Sequence, residues 1–119
     1  MQDTTRITQR TASTASGSSV CIFSFDGDIT STAKEVILSA YQGLDSATAH
    51  LLLDFTGVEY INSSGIAIII QMLLEASKSS QRSVGIFGLS PHFNKVFTMV
   101  GINKYAGLHP DEPTALSAI

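Results

Sequence analysis

Apolar residues recur along this chain in two alternating patterns. The run "VCIFSFDGDI" (20–29) is short, rich in Val, Ile and Phe, and closed by Asp-Gly, which predicts a strand and a turn. From 30 to 44 the period changes. Ala33, Val36, Ile37, Ala40, Tyr41 and Leu44 share one helical face, with a capping-box spacing at Thr32 and Glu35 and a stop at Gly43. "HLLLDFTGV" (50–58) is nearly continuous in its apolar core. It reads as a strand covered on both faces, as in a parallel sheet. The next stretch, "GIAIIIQMLLEASKSS" (65–80), opens with four isoleucines in residues 66–70, a strand-like composition. Its pattern continues through Met72, Leu73, Leu74 and Ala76, too far for one strand, so a helix with a very apolar face is expected.

"SVGIFG" (83–88) is the next strand by the same criteria, and "SPHFNKVFTMVG" (90–101) is the clearest helix. Ser90 sits at its cap, Pro91 in its first turn, and Phe93, Val96, Phe97 and Val100 form its stripe before Gly101 ends it. "KYAGL" (104–108) is a last short strand, and Asp111 caps a final helix through Ala115 and Leu116. The order predicts an α/β single domain, with a mostly parallel or mixed β-sheet of four to five strands and about four helices. Residues 20–119 form that domain. Residues 1–19 are a polar N-terminal segment, in which residues 6–12 allow an added edge strand.

The chain has 119 residues, 44% hydrophobic and 14% charged, with a net charge of −3. That suits one folded core and leaves no basic footprint for nucleic acid or for an anionic membrane. No stretch has the length of a membrane span, and the N-terminal segment lacks the apolar core of a secretory signal. A soluble, cytoplasmic protein is expected. Cys21 is the one cysteine; on an apolar strand it reads as a buried thiol, with no disulfide or thiolate metal site open to it. No cofactor is expected.

The candidate chemistry lies at the junction "VEYINSSGIAIII" (58–70). If a strand leads into a helix there, Asn62, Ser63 and Ser64 form the loop at the helix N-terminus. Three roles compete. An oxygen among them can cap a free N–H. The helix end can hold an anion, although the segment lacks the glycines and lysine of a phosphate cradle. A serine can also be modified: a phosphate would add a charge of about −1.5 to −2 and three acceptor oxygens. The fold would tolerate that charge at a helix N-terminus, whereas a partner docked over a neutral serine would not. Nucleophilic catalysis has no support. His50 starts a strand, His92 lies in a helix turn and His109 precedes Pro110, so no base is assigned to the serines. The three histidines have no zinc-binding spacing, and Asp26 and Asp28 read as a solvated turn around Gly27.

"LLLDFTGVEYINSSGIAIII" (51–70) resembles the core signature of STAS domains, the fold of anti-sigma factor antagonists and of sulphate-transporter tails. "FSFDGDIT" (23–30) resembles the family's strand ending in Gly-Glu-Leu-Asp, and "FGLSPHFNKVFTMVGINKY" (87–105) resembles its strand, helix and closing strand. The resemblance covers roughly residues 20 to 116. It implies a mixed sheet with helices, no catalytic activity and a phosphorylation switch. In the antagonists, the first serine of an Asp-Ser-Ser/Thr-Gly turn is phosphorylated by the anti-sigma factor, a serine kinase. Matched onto this chain, the acceptor is Ser63, with Ser64 and Gly65 completing the motif. Asn62 stands in the Asp position, and Thr30 replaces the last Asp of the upstream strand, while Asp28 keeps an acid at the Glu position.

The implied function is a non-catalytic regulator. Unphosphorylated, it binds an anti-sigma factor serine kinase; phosphorylated at Ser63, it is released until a PP2C-type serine phosphatase resets it. Asp28, Thr30, Asn62, Ser64 and Gly65 would line the partner-binding face of a monomer or weak homodimer. The alternative is a constitutive scaffold or subunit of a signalling assembly, a lipid-transport complex or a transporter tail, with no switch. A start at Met1 and the lack of a membrane span favour a complete antagonist.

Overall fold

The computed structural model describes residues 5–80 and 82–119. Five strands form one sheet in the order β1-β2-β3-β4-β5: β1 (Arg6–Ser13), β2 (Ser19–Asp26), β3 (His50–Gly57), β4 (Ser83–Phe87) and β5 (Gly107–His109). β1 lies antiparallel to β2, and the other three pairings are parallel. The β1–β2 hairpin closes through Gly17, whose φ of +90° is open to glycine at no steric cost. There the Thr14 hydroxyl accepts from Ser18 N–H at 3.0 Å.

Four helices connect or follow the strands: α1 (Lys34–Gln42), α2 (Ser63–Glu75), α3 (Pro91–Met99) and α4 (Glu112–Ser117). Because β2 to β5 advance in one direction, right-handed crossovers place α1, α2 and α3 on the same face of the sheet. The main core forms between them. Phe23, Phe25, Leu51, Leu53, Phe55 and Ile86 from the strands meet Ile37, Tyr41, Ile69, Met72 and Phe97 from the helices. Phe55 is central, with ring centroids 4.9 Å from Phe25 and 5.9 Å from Phe97. Each such side chain, once buried, contributes about 1.5–3 kcal/mol. The alternate residues Val20, Ile22, Leu52 and Phe87 point the other way and pack under Ala115 of α4. β3 is thus covered on both faces, as its unbroken Leu51-Leu52-Leu53 run requires.

Several local expectations are corrected. The Thr32–Glu35 capping box does not form. A 3₁₀ turn (Ser31–Ala33) feeds directly into α1, Ala33 occupies the cap position without a side-chain bond, and the Thr32 hydroxyl bonds Thr30 instead. α2 begins at Ser63 and its α-helical part ends at Glu75, where a π turn (Ala76–Ser80) follows. Residues 102–104 form a 3₁₀ turn, so the last strand starts at Gly107. Val100 is exposed rather than part of the α3 stripe. Cys21 is only partly buried: it packs against the main core but also borders an open cleft near Leu44 and His50. Burial pushes its thiol pKa up, an effect that nearby Arg82 partly offsets. Ser90 and Asp111 do cap α3 and α4, accepting from Phe93 N–H at 3.3 Å and Thr114 N–H at 3.0 Å.

Candidate functional site

Parallel strands end together, so the loops that leave β2 and β3 lie side by side at one end of the sheet. The loop after β2 turns at Gly27, with φ +90°, and runs through Asp28, Ile29 and Thr30. The loop after β3 runs from Val58 to the cap of α2. The two are stitched by backbone. Ile29 N–H donates to the Tyr60 carbonyl at 3.0 Å, and Asn62 N–H donates to the Ile29 carbonyl at 3.2 Å. These bonds form a one-residue parallel bridge between Ile29 and Ile61. Both side chains are buried, which anchors the loops from beneath.

The first turn of α2 sits directly on this bridge. Asn62 is extended at its cap, and its Oδ1 accepts from Gly65 N–H at 2.9 Å. Its carbonyl accepts from Ile66 N–H at 3.0 Å. The amide therefore fills the capping role, and neither serine does. Gly65 is required by packing: a Cβ there would overlap the Ile29 backbone carbonyl. Ser63 and Ser64 are the first two residues of the helix rather than part of the loop. Both side chains are exposed, and among the described residues neither hydroxyl has a hydrogen-bond partner. Their backbone N–H groups belong to the helix end that has no intrahelical acceptor.

Of the residues singled out from sequence, Asp28, Thr30, Asn62, Ser63, Ser64 and Gly65 all fall on these two loops and the helix turn they support. Thr30 is half-buried and bonds the Thr32 hydroxyl at 3.0 Å. Arg6, Asp26, Asp28 and Glu59 border a shallow depression of about 280 Å³. Arg6 and Asp26 form an exposed ion pair. This end of the molecule is therefore weakly acidic.

Among the described residues, no hydrogen bond connects any of the three histidines to Ser63 or Ser64. His50 Nδ1 lies 3.0 Å from the Ser83 hydroxyl, and its strand position is at the opposite end of the sheet. His92 packs edge-on against Phe93, and His109 lies across Gly85 and Gly107. Among the described residues, no group of three or more His, Cys, Asp or Glu side chains could hold a metal ion. No helix among them is long and apolar enough to cross a membrane.

Sequence reasoning missed two contributors. Ile29 is a lone apolar residue after Asp-Gly-Asp, with no periodicity to mark it, yet it holds both loops. Thr5 lies in the polar N-terminal segment but is buried, and its hydroxyl donates to the Asp28 carbonyl at 2.7 Å.

Comparison with known proteins agrees with this architecture. An anti-sigma factor antagonist from Mycobacterium paratuberculosis superposes with a TM-score of 0.73 at 21% identity, covering 96% of this chain and 94% of that one. The Bacillus cell fate determinant SpoIIAA in its phosphorylated form gives a TM-score of 0.65 at 18% identity, over 95% and 98% of the two chains. The murine Slc26a9 anion transporter matches with a TM-score of 0.69 at 17% identity, over 84% of this chain but only 18% of its own. At these identities the likeness is one of fold. No curated protein matches the sequence. A family model described as "Mlab, STAS domain" matches residues 13–110. That span takes in four of the five strands, the stitched loops and the Asn62-Ser63-Ser64-Gly65 turn, and the chain belongs to the STAS-domain family.

Proposed function

We propose that this chain is a cytoplasmic, non-catalytic partner-switching protein. In its resting form it docks onto an anti-sigma factor serine kinase through the end of the sheet that carries Asp28, Thr30, Asn62, Ser64 and Gly65. The kinase transfers the γ-phosphoryl group of ATP to Ser63 Oγ; the hydroxyl proton leaves to the kinase and ADP is released. A PP2C-type serine phosphatase hydrolyses the ester and restores the docking form.

One observation carries the reading: the Ser63 hydroxyl is exposed and unbonded on the first turn of α2, between two residues that hold the turn in place. Asn62 caps the turn, and Gly65 rests on the Ile29 carbonyl. A phosphate there is compatible with the fold, because the helix N-terminus favours an anion. It is costly for a docked partner, because a dianion would be desolvated at the contact with no cation in place to meet it.

The test is a binding series with the cognate kinase. Ser63→Ala retains binding and takes up no phosphate, whereas Ser63→Asp loses roughly thirtyfold or more in affinity, as an unpaired buried charge demands. Phosphate on Ser63→Ala from that kinase would overturn the assignment.

A second reading is a constitutive module in a larger assembly, in which Asn62 and the serines only shape a helix end. The likeness to the anion transporter, where this fold is 18% of the chain, favours it. Under that reading the purified protein recovers into a large stable complex, and neither Ser63 variant changes the association.

A further inference from the structure

We infer that Thr5 is a positioning residue for the docking loop, acting from outside the segment that carries the switch; this rests on the function proposed above. One peptide group links the two loops. The peptide joining Asp28 to Ile29 is planar and rigid, so fixing both its ends fixes its orientation. Its N–H, on Ile29, donates to the Tyr60 carbonyl at 3.0 Å. Its C=O, on Asp28, accepts from the Thr5 hydroxyl at 2.7 Å. The next carbonyl along, on Ile29, accepts from Asn62 N–H and touches Gly65. A continuous path of hydrogen bonds therefore runs from Thr5, through the Asp28 loop, to the cap of α2.

Thr5 suits this role. It is 6% exposed, although it precedes an edge strand whose other residues are mostly exposed. The bond spans 23 residues, so it ties the entry of β1 to the exit of β2. Among the described residues it is the one bond made by a side chain to a backbone atom of the Gly27–Thr30 loop, and hence the one a point substitution can delete. The positive φ of Gly27 makes the loop's backbone permissive. Without Thr5, the Asp28 carbonyl loses its partner and the peptide can tilt about its remaining bond. The side chains of Asp28 and Thr30 on either side would then lose their fixed direction.

The experiment is amide hydrogen exchange on the full chain, comparing wild type with Thr5→Val and Thr5→Ser. Val keeps the shape and removes the donor; Ser keeps the donor. Thr5→Val is expected to speed exchange at the Ile29 and Asn62 amides about fivefold, the factor that one ordinary hydrogen bond is worth. Ala118 at the end of α4, whose local opening leaves the Thr5 bond intact, keeps its wild-type rate, and Thr5→Ser restores slow exchange at both loop sites. Unchanged rates at Ile29 in Thr5→Val, equal acceleration at Ala118, or a Thr5→Ser as fast as Thr5→Val would each overturn the inference. With the cognate kinase, Thr5→Val lowers kcat/KM for Ser63 phosphorylation and Thr5→Ser recovers it. If wild-type Ser63 takes up no phosphate while the exchange pattern holds, the proposed function fails and the positioning role of Thr5 stands.

Discussion

The first turn of α2 divides two requirements between neighbouring residues. Asn62 and Gly65 hold the turn, and Ser63 and Ser64 are left free. The cap is worth about 1 kcal/mol, so Asn62→Ala is expected to lower stability by that amount. Gly65 offers a sharper test, because two effects of opposite sign meet there. Alanine gains about 1 kcal/mol of helix propensity over glycine. Its methyl group, however, would land on the Ile29 backbone carbonyl, which cannot rotate away. Overpacking against a fixed atom costs about 1–3 kcal/mol and can exceed that, so Gly65→Ala is expected to destabilise. Urea unfolding of the two variants measures both values, and a Gly65→Ala chain more stable than wild type would refute the packing account.

Among the elements, α4 has the least local support, since six residues are too few to form a helix alone. Contacts with the sheet hold it. Ala115 is buried against the second face of the sheet. Arg10 of β1 grips Glu112 with two bonds, at 2.5 and 3.1 Å, which raises the Arg10 pKa further. Asp54 of β3 lies 3.9 Å from the same guanidinium and also accepts from the Ser24 hydroxyl at 3.1 Å. At the N-terminus, hydrogen bonds from the Thr114 side chain and then its backbone N–H hold the Asp111 carboxyl below its ordinary value. A carboxyl depressed on folding supports the folded form fully above its unfolded pKa, near ~4. That support is lost as pH falls through the lower, folded value. An NMR titration is expected to show the Asp111 carboxyl and the Thr114 amide shifting together, with a midpoint below that of an unstructured Asp. A midpoint at or above it would remove the cap from α4.

For the molecule as a whole, the two apolar clusters share one sheet. Ile22 belongs to one cluster while its neighbour Phe23 belongs to the other, and Leu52 and Leu53 divide in the same way. Neither face can be uncovered without loosening strands that serve the opposite face. Unfolding is therefore expected as one cooperative transition. Far-UV circular dichroism, which follows helices and strands, and near-UV signals from the buried Tyr41 should give coincident urea curves. An earlier transition in one probe would mean that the second face opens by itself. The far end of the sheet has a brace of its own. There the buried Arg82 guanidinium donates to the carbonyls of Thr48 and Asp45 at 2.6 and 3.1 Å and lies over the Tyr41 ring. It braces the α1–β3 loop away from Ser63.

Sequence alone determined the helices and strands whose burial is periodic, because a strand buried on both faces and an amphipathic helix each write their environment into successive residues. Leu51-Leu52-Leu53 marked the sheet centre, and the Phe93–Phe97 spacing marked α3. It also named the turn that carries Ser63, since Asn, Ser and Gly at such a junction are chemically distinctive. Only the tertiary structure decided what depends on residues far apart in the chain. Capping passed to Asn62, and the Thr32–Glu35 pair went unused, because a 3₁₀ turn took over the start of α1. Ile29 became the hub of two loops, and Thr5 became the tie beneath Asp28. Neither role leaves a local trace, because a hydrogen bond across 23 residues is fixed by how the sheet brings its strand ends together and by no periodicity in the residues themselves.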